Sequence, residues 1–249
     1  MSRGSAIALL ALAYLLSGVR GFGTGAIFPE RNPVLLPVLH NLEAEWAEAV
    51  LASLPMRTTV CSVSFRHERA VAALRGLVAA SSREAAREGT GRRLIGASTV
   101  CSEQQVRQAK EAGAEFISTM FYSERVQQIA RSFELPVLGG VVTEVEARKS
   151  IASGISSLKF YPSSAVTPEM LAETLNALGD KARGLDVIVA GGVREVDVED
   201  YIRAGATGFA IGIDCLKFQN ELHLIAKLMN SYYSIMDDHS LVTYGTSRL

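Results

Sequence analysis

The feature that most constrains this chain is an alternation, from Val34 onward, of eight short apolar runs with amphipathic segments of helical period. Each run has the length and residue types of a buried strand, and strands that alternate with helices form a parallel sheet with crossover connections. The runs are Val34–Leu39, Thr58–Phe65, Arg93–Val100, Glu115–Met120, Leu135–Val141, Ser156–Tyr161, Leu185–Val189 and Thr207–Gly212. The chain has 249 residues, and a parallel (β/α)8 barrel typically needs about 250. We therefore predict a single-domain α/β fold of this type over residues 34–236.

Helix start and stop signals support this alternation. The segments from Ser102 to Gln105 and from Thr143 to Glu146 have the pattern of a capping box, in which two side chains satisfy free backbone N–H groups. Thr167 with Pro168 places a proline at the first helical position, where its missing N–H costs nothing. Three further helix ends carry a glycine suited to a left-handed cap before the next strand: Gly113, Gly154 and Gly205.

The two ends of the chain differ from the barrel. Arg3 precedes an apolar run from Ala6 to Val19, which is short for a transmembrane helix but suits a signal segment. We predict a targeting segment over residues 1–21 that is cleaved near Gly21 and Phe22; a membrane anchor or a disordered tail is the alternative. At the other end we predict an eighth helix over Leu216–Ser234 and a loose polar tail over residues 237–249.

Composition limits the compartment and the partners. The three cysteines are an odd number without CxxC spacing, so they predict neither a disulfide framework nor a zinc site. A domain without a disulfide framework is unusual for a secreted enzyme. A bipartite plastid presequence, with Phe22 directly after the cleavage site, is therefore an alternative to a secretory signal. The net charge is -1 and the basic residues form no single run, which argues against nucleic acid as a partner. The expected partner is a small molecule, with no membrane contact for the mature domain.

Lys159 is the residue with the strongest chemical signal. Side chains alternate along a strand, so Ser157, Lys159 and Tyr161 share one face while Leu158 and Phe160 share the other. The outer face of a parallel barrel is covered by helices, so Lys159 is expected to point into the barrel. Burial disfavours the ammonium form and leaves an amine that can attack a ketone. A structural lysine paired with a carboxylate is the alternative.

Two further groups suit an anionic ligand. Gly191 and Gly192 follow the seventh run, and backbone N–H groups in such loops of a barrel bind anions. Arg66 closes the second run, where a guanidinium at the rim suits a carboxylate substrate. Tight turns and a surface arginine are the alternative interpretations.

Four motifs in order resemble the family of 2-keto-3-deoxy-6-phosphogluconate and 4-hydroxy-2-oxoglutarate aldolases. The segment from Gly96 to Val100 is similar to the family's GAGTV, and Glu111 to Ser118 is close to its EAGAxFxxSP. Leu158 to Pro162 is similar to FKFFP, and Ala190 to Val193 is similar to PTGGV. The resemblance extends from about Val34 to Phe218.

The resemblance implies roles for these residues. Lys159 matches the lysine that forms a Schiff base with pyruvate, and Arg66 and Thr99 match residues that contact the substrate. Gly191 and Gly192 match the phosphate-loop glycines. The implied reaction is reversible cleavage of a 2-keto-4-hydroxy acid to pyruvate and an aldehyde, in a homotrimer, without metal or organic cofactor.

Several positions depart from the family pattern. Ser62 stands where the family has its general-base glutamate, and losing an acid–base group costs about 10²–10⁴-fold in rate. His40 replaces an arginine of the first strand, and Ala190 replaces the threonine of PTGG. Asp214 replaces a phosphate-site serine, unless it caps the following helix. Ser62 and His40 are the candidates for a replacement proton relay.

Three interpretations of function stay open. The first is an active pyruvate-type aldolase with a shifted substrate preference, acting for example on an unphosphorylated 2-keto acid. The second is a barrel that has lost catalysis and serves as a binding or assembly protein, which the missing glutamate and Asp214 motivate. The third is another phosphate-binding barrel, similar to thiamine-phosphate synthase or to an epimerase, which Gly191 and Gly192 fit but Lys159 does not.

Overall fold

The structure is a computed structural model that describes residues 27–28, 33–89 and 91–246, with side chains described up to Asp238. Eight parallel strands close into one barrel in chain order, so the chain is a (β/α)8 or TIM barrel. The strands are β1 Val34–His40, β2 Val60–Ser64, β3 Leu94–Val100, β4 Phe116–Thr119, β5 Val137–Val141, β6 Ser157–Phe160, β7 Asp186–Ala190 and β8 Gly208–Asp214. The predicted fold is confirmed, and each predicted strand agrees with the structure to within two residues at either end.

Helices cover the outside of the barrel. Those of the described residues are α1 Ala47–Ser53, α2 Ala70–Glu88, α3 Glu103–Glu111, α4 Glu124–Ser132, α5 Glu144–Ala152, α6 Pro168–Leu178, α7 Val198–Arg203, α8 Cys215–Phe218 and α9 His223–Thr246. One core cluster fills the space between strands and helices and includes Leu158 and Phe160. A smaller cluster fills the barrel interior and includes Leu36, Phe116 and Ile188. This division follows the alternation of side chains along each strand.

The C-terminal region corrects two expectations. The predicted eighth helix is interrupted, because α8 ends at Phe218 and α9 begins at His223. The backbone of α9 then continues through Thr246, so the region expected to be loose after residue 237 is helical up to that point. The sequence from His223 to Tyr244 has neither glycine nor proline, and each added helical residue gains a backbone hydrogen bond.

The predicted helix starts are mostly confirmed. Thr143 and Glu146 form a complete capping box, and Thr167 caps α6 with Pro168 in its first turn. Ser102 accepts a hydrogen bond from the Gln105 N–H as predicted, but Gln105 returns its side chain to the N–H of Cys101 instead. Gly113, Gly154 and Gly205 all have φ near +90°, which a residue without Cβ adopts at little cost.

Two arrangements close the amino-terminal end of the barrel. Arg93 and Glu84 form a buried ion pair, in which Nε lies 2.8 Å from Oε2, and Arg93 also donates to the Thr58 carbonyl. Ile27 and Phe28, which we call the basal pair, join the interior cluster beneath the strands. This end of a (β/α)8 barrel serves stability, whereas the carboxyl end carries the functional groups.

Residues 1–21, for which a targeting segment is predicted, lie outside the described residues. Within the described part of the chain, no helix combines the length and the apolar composition needed to cross a membrane.

Candidate active site

A small cavity opens among the carboxyl ends of the strands. Its volume is about 190 Å³, which corresponds to about six water molecules at their share of liquid volume. The lining residues are Val38, His40, Ser98, Thr99, Ser118, Lys159, Ala190, Gly191, Gly192, Ala210 and Gly212. A cavity of this size suits a small acid, and its wall combines one amine and several hydroxyls with apolar and glycine positions.

Lys159 lies where the strand alternation predicts, on β6 and facing into the barrel. Only 7% of the residue is exposed. Burial lowers the pKa of its ammonium group to about 7, an effect that the Arg66 charge reinforces and the nearby Cys101 opposes. None of the described carboxylates lies within ion-pair distance of its Nζ. The side chain therefore offers a large fraction of neutral, nucleophilic amine near pH 7.

Thr99 enters the cavity through an irregularity in β3. Its φ is +63°, an outlier for a β-branched residue, and the pairing with β4 shifts register between Ser98 and Val100. Thr99 Oγ1 lies 3.2 Å from Ser64 Oγ on the neighbouring strand. The bulge directs the threonine toward the cavity, a use of backbone strain that is common at functional sites.

Gly191 and Gly192 form the wall on the β7 side. Both have φ above +80°. A Cβ on Gly191 would lie 2.5 Å from a ring atom of Tyr161, so any larger residue would displace that ring. Ser163 holds the turn from the other side, because its Oγ donates to the Gly191 carbonyl. The glycines allow the chain to pass close to the cavity.

Arg66 is exposed and lies at the rim, outside the lining of the cavity. Its Nη2 donates to Tyr161 Oη at 3.4 Å. Arg66 forms no ion pair with any described carboxylate, and its charge still lowers the pKa values of Lys159 and His40. An unpaired guanidinium beside the mouth is available to an anionic ligand.

His40 lines the cavity at the end of β1. Burial lowers the pKa of the imidazole first, and Arg66 and His67 add to this while Asp214 opposes it. His40 is therefore a neutral imidazole at pH 7, with a ring nitrogen able to accept a proton. Asp214 on β8 is the backbone register partner of His40 on β1. Its carboxylate accepts a hydrogen bond from the Asn41 side-chain amide at 2.9 Å. Asp214 occupies the N-cap position of α8, as the capping alternative requires, but its side chain makes no capping hydrogen bond there.

Ser62 lies behind the cavity wall. It is fully buried, and its Oγ is 2.6 Å from Ser98 Oγ and 3.5 Å from the Pro37 carbonyl. Ser98 faces the cavity, so Ser62 reaches a ligand only through Ser98. The structure thus brings His40, Thr99, Lys159, Gly191 and Gly192 together, with Arg66 at the rim and Ser62 one residue removed.

Three residues of the cavity wall or rim were not among the predicted site residues, namely Ser98, Ser118 and Tyr161. All three lie within the recognised motifs, and the alternation of Tyr161 with Lys159 along β6 was the available signal for that residue. No group of three or more histidine, cysteine or acidic side chains suited to a metal occurs in the described ranges.

The fold and the site define a (β/α)8 barrel with a buried, readily deprotonated lysine at its carboxyl end. A family model described as KDPG and KHG aldolase matches residues 28–223. The chain belongs to this aldolase family, as the motifs of the sequence indicated. The match supports the aldolase interpretation over the thiamine-phosphate-synthase-like one.

Individual relatives agree with the family. A probable 2-dehydro-3-deoxy-6-phosphogalactonate aldolase of Rhizobium meliloti is 32% identical over 125 residues, which are 50% of this chain and 57% of that protein. A 2-dehydro-3-deoxy-phosphogluconate aldolase of Treponema pallidum is 29% identical over 130 residues, 51% of this chain and 60% of the relative. Each match thus spans less than two thirds of the relative. A solved structure described as native KDPGal has a TM-score of 0.72 at 20% identity, covering 86% of this chain and 98% of its own, and shares the fold.

Proposed function

We propose that this protein is a class I aldolase that cleaves a 2-keto-4-hydroxy acid to pyruvate and an aldehyde through a Schiff base on Lys159. The observation that carries the proposal is a lysine amine with a pKa lowered to about 7, buried in a small polar cavity at the functional end of a barrel of this family. The substrates named for the relatives are of the same chemical class, keto acids with a hydroxyl two carbons from the ketone.

The reaction follows from the amine. Lys159 Nζ attacks the C2 ketone, and water leaves to give a protonated imine. The 4-hydroxyl then loses its proton, the C3–C4 bond breaks, and its electrons move into the iminium to give an enamine while the aldehyde departs. Protonation at C3 and hydrolysis release pyruvate and return the free amine. No metal or redox partner is needed for this balance.

The other residues are assigned by their chemistry. Arg66 and Thr99 bind the carboxylate, since one supplies a guanidinium and the other a hydroxyl at the mouth and wall of the cavity. Gly191 and Gly192 line the cavity and are assigned to the end of the substrate away from its carboxylate. His40 is the proton acceptor, because its imidazole is neutral at pH 7 and lines the cavity. Ser62 has no base partner and stays a weak candidate for a relay through Ser98.

Substrates without phosphate are favoured by the charge near β8. The carboxylate of Asp214 has the Asn41 amide as its recorded partner and no cation at ion-pair distance among the described residues. A phosphate placed close to a carboxylate is repelled by several kcal/mol at the intermediate dielectric of a partly buried site.

Assembly and targeting extend the proposal. The resemblance to the family supports a homotrimer, and a structural neighbour is a protein cage designed by fusing symmetric oligomeric domains. The mass of the native protein in solution tests this.

Residues 1–21 are proposed to direct the chain to the secretory pathway or to a plastid. Cleavage after Gly21 would leave the basal pair in the mature protein.

The experiment is borohydride trapping. The protein is incubated with pyruvate and reduced, and the adduct is located by peptide mass spectrometry. We expect a single adduct at Lys159, absent from Lys159→Arg and unchanged in the control Lys227→Arg on the surface of α9. Because the pKa of Lys159 is about 7, the trapping rate should rise as the pH increases through this value.

Cleavage is measured on the same samples as pyruvate released from 4-hydroxy-2-oxoglutarate and from 2-keto-3-deoxy-6-phosphogluconate. Turnover that depends on Lys159 and falls in His40→Ala supports the proposal. A folded protein that forms no adduct would instead be the non-catalytic barrel, for which the missing glutamate at position 62 is the structural reason.

A further inference from the structure

Ser118 Oγ is the buried side-chain polar atom of the described residues that has no hydrogen-bond partner. The residue is 1% exposed, yet its side chain lines the same cavity as Lys159. Leaving a buried hydroxyl unpaired is unfavourable, and nearly all such groups in folded proteins find a partner. An unpaired hydroxyl in the wall of a substrate cavity therefore indicates that its partner is part of a ligand.

A second hydroxyl stands beside it. Ser98 on β3 is the register partner of Ser118 on β4, and both line the cavity. Ser98 Oγ is already engaged with Ser62 Oγ at 2.6 Å. A hydroxyl has one donor and two acceptor sites, so Ser98 keeps capacity for a further bond. The wall between β3 and β4 thus offers two neighbouring neutral groups that can both donate and accept.

The charges of the cavity decide which part of a ligand belongs there. The carboxylate of a keto acid is matched by Arg66 at the rim, and its ketone reacts with Lys159. Two neutral serines give an anion little compensation for lost water, because hydrogen bonds from charged donors are about twice as strong. A hydroxyl group, which is itself both donor and acceptor, matches them.

We propose that Ser118, assisted by Ser98, binds the 4-hydroxyl of the substrate and so selects 4-hydroxylated keto acids over those without this group. The inference rests on the proposed function, since that hydroxyl is the oxygen, neither ketone nor carboxylate, that all 2-keto-4-hydroxy acids share. Ser118 is a binding residue in this assignment. It holds the oxygen whose proton leaves when the C3–C4 bond breaks, and it does not act as the base.

Two keto acids that differ only at C4 provide the probes. The kcat/KM for cleavage of 4-hydroxy-2-oxoglutarate and the inhibition constant of 2-oxoglutarate are measured for wild type, Ser118→Ala and Ser118→Cys. The control variant is Ser82→Ala, which removes an exposed hydroxyl of α2 that donates a hydrogen bond within its own helix. Loss of one neutral hydrogen bond corresponds to a change of about 3- to 10-fold.

We expect kcat/KM to fall about 3- to 10-fold in Ser118→Ala, with an intermediate value for the more weakly bonding cysteine. The inhibition constant of 2-oxoglutarate should change less than about twofold, and Ser82→Ala should match wild type. The melting temperature of Ser118→Ala should stay equal to or above that of wild type, because an unpaired buried hydroxyl is removed. A residue with only a structural role would instead lower it.

Two results overturn the assignment while leaving the aldolase proposal intact. One is an unchanged kcat/KM in Ser118→Ala. The other is an equal loss for both probes, which would show that Ser118 contacts the shared keto-acid part or holds a water molecule. A wild-type protein that forms no Lys159 adduct and releases no pyruvate is a different result, which removes the proposed function and this inference with it.

Discussion

Tyr161 connects the charged and neutral groups around the cavity. Its ring centroid lies 5.4 Å from Lys159 Nζ, its hydroxyl accepts from Arg66, and Phe121 packs edge-to-face on it at 5.9 Å. Gly191 leaves the space that the ring occupies. The family motif FKFFP has phenylalanine at this position, so the hydroxyl is a departure from that motif, and it accepts a hydrogen bond from Arg66.

Replacing Tyr161 by phenylalanine separates the hydroxyl from the ring. A long hydrogen bond at a partly exposed site contributes about 0.5–1 kcal/mol, so we expect the KM for the keto acid to rise about 2- to 5-fold with kcat changed less than twofold. Steady-state kinetics of pyruvate release measure both. Tyr122→Phe, which removes a tyrosine hydroxyl outside the cavity lining, is the matched control. An equal fall of kcat in Tyr161→Phe would contradict a role limited to holding Arg66.

Sequence analysis finds functional residues whose type is unusual for their position in a strand, and it misses functional residues whose type is common at such a position. A lysine within an apolar strand stands out, and strand alternation is enough to assign its direction. Ser118 does not stand out, because a serine in a strand usually finds a partner, and only the three-dimensional contacts show that this one has none. The positive φ of Thr99 depends on a register shift between two strands, which no local pattern encodes.

The basal pair is an element that ties three strands together from below. The ring of Phe28 packs edge-to-face on Phe116 with centroids 6.4 Å apart, and its N–H donates to Asp186. Ser157 donates to the same carboxylate at 2.5 Å and accepts from the Ile27 N–H. Burial raises the pKa of Asp186, and hydrogen bonding from the Ser157 hydroxyl and from the Phe28 and Ile27 N–H groups partly offsets this rise. The bottom of the barrel is thereby filled by residues that precede β1.

Truncating Phe28 to alanine should destabilise the protein strongly. Phenylalanine to alanine at a buried position typically costs about 3–5 kcal/mol, and Phe28 is 6% exposed. The free energy of unfolding in urea measures the loss. Phe121→Ala, where the ring is 49% exposed, should cost less than about 1.5 kcal/mol. Equal losses for the two variants would show that the basal pair does not fill the barrel.

At the scale of elements, local signals predict what local forces decide. Apolar runs, capping residues and cap glycines place the eight strands and most helix starts, because each depends on a few neighbouring residues. The basal pair could not be predicted, since Ile27 and Phe28 follow a longer apolar segment and their partners Phe116, Ser157 and Asp186 lie more than 80 residues away. The residues between α8 and α9 include no glycine or proline that would predict the interruption.

The molecule as a whole separates stability from chemistry along the barrel axis. The amino-terminal end holds the Arg93–Glu84 ion pair and the basal pair, whose polar groups are bonded to one another or to backbone carbonyls. Among the described residues, the carboxyl end holds a strained threonine, a serine hydroxyl without a hydrogen-bond partner and a buried amine without a counter-ion. Each of these carboxyl-end features lowers stability, which is the expected consequence of building a reactive site into a packed core.

The effect of Lys159 on the free energy of unfolding can be measured through its pH dependence. The sign of this dependence follows from the number of protons that the folded and unfolded states bind. The unfolded lysine keeps its proton up to its ordinary pKa of 10.5, whereas the folded one loses it at about 7. Between these values the unfolded chain binds more protons, so the stability of wild type rises with pH in this window. Below pH 7 the cost of burial is present in full, and at about 1.4 kcal/mol for each tenfold change it is at most on the order of 5 kcal/mol.

Lys159→Met keeps the length of the side chain and removes the titrating group, so its stability should lack this slope. We expect the variant to unfold with a higher free energy than wild type at pH 7 and the difference to narrow by pH 9.5. Urea unfolding of both proteins at one protein concentration measures this, with the exposed Lys227→Met expected to stay within about 0.5 kcal/mol of wild type. A difference that is absent at pH 7, or that widens toward pH 9.5, would mean that Lys159 is protonated in the folded protein. The amine would then lack the nucleophilic character that the proposed Schiff-base chemistry requires.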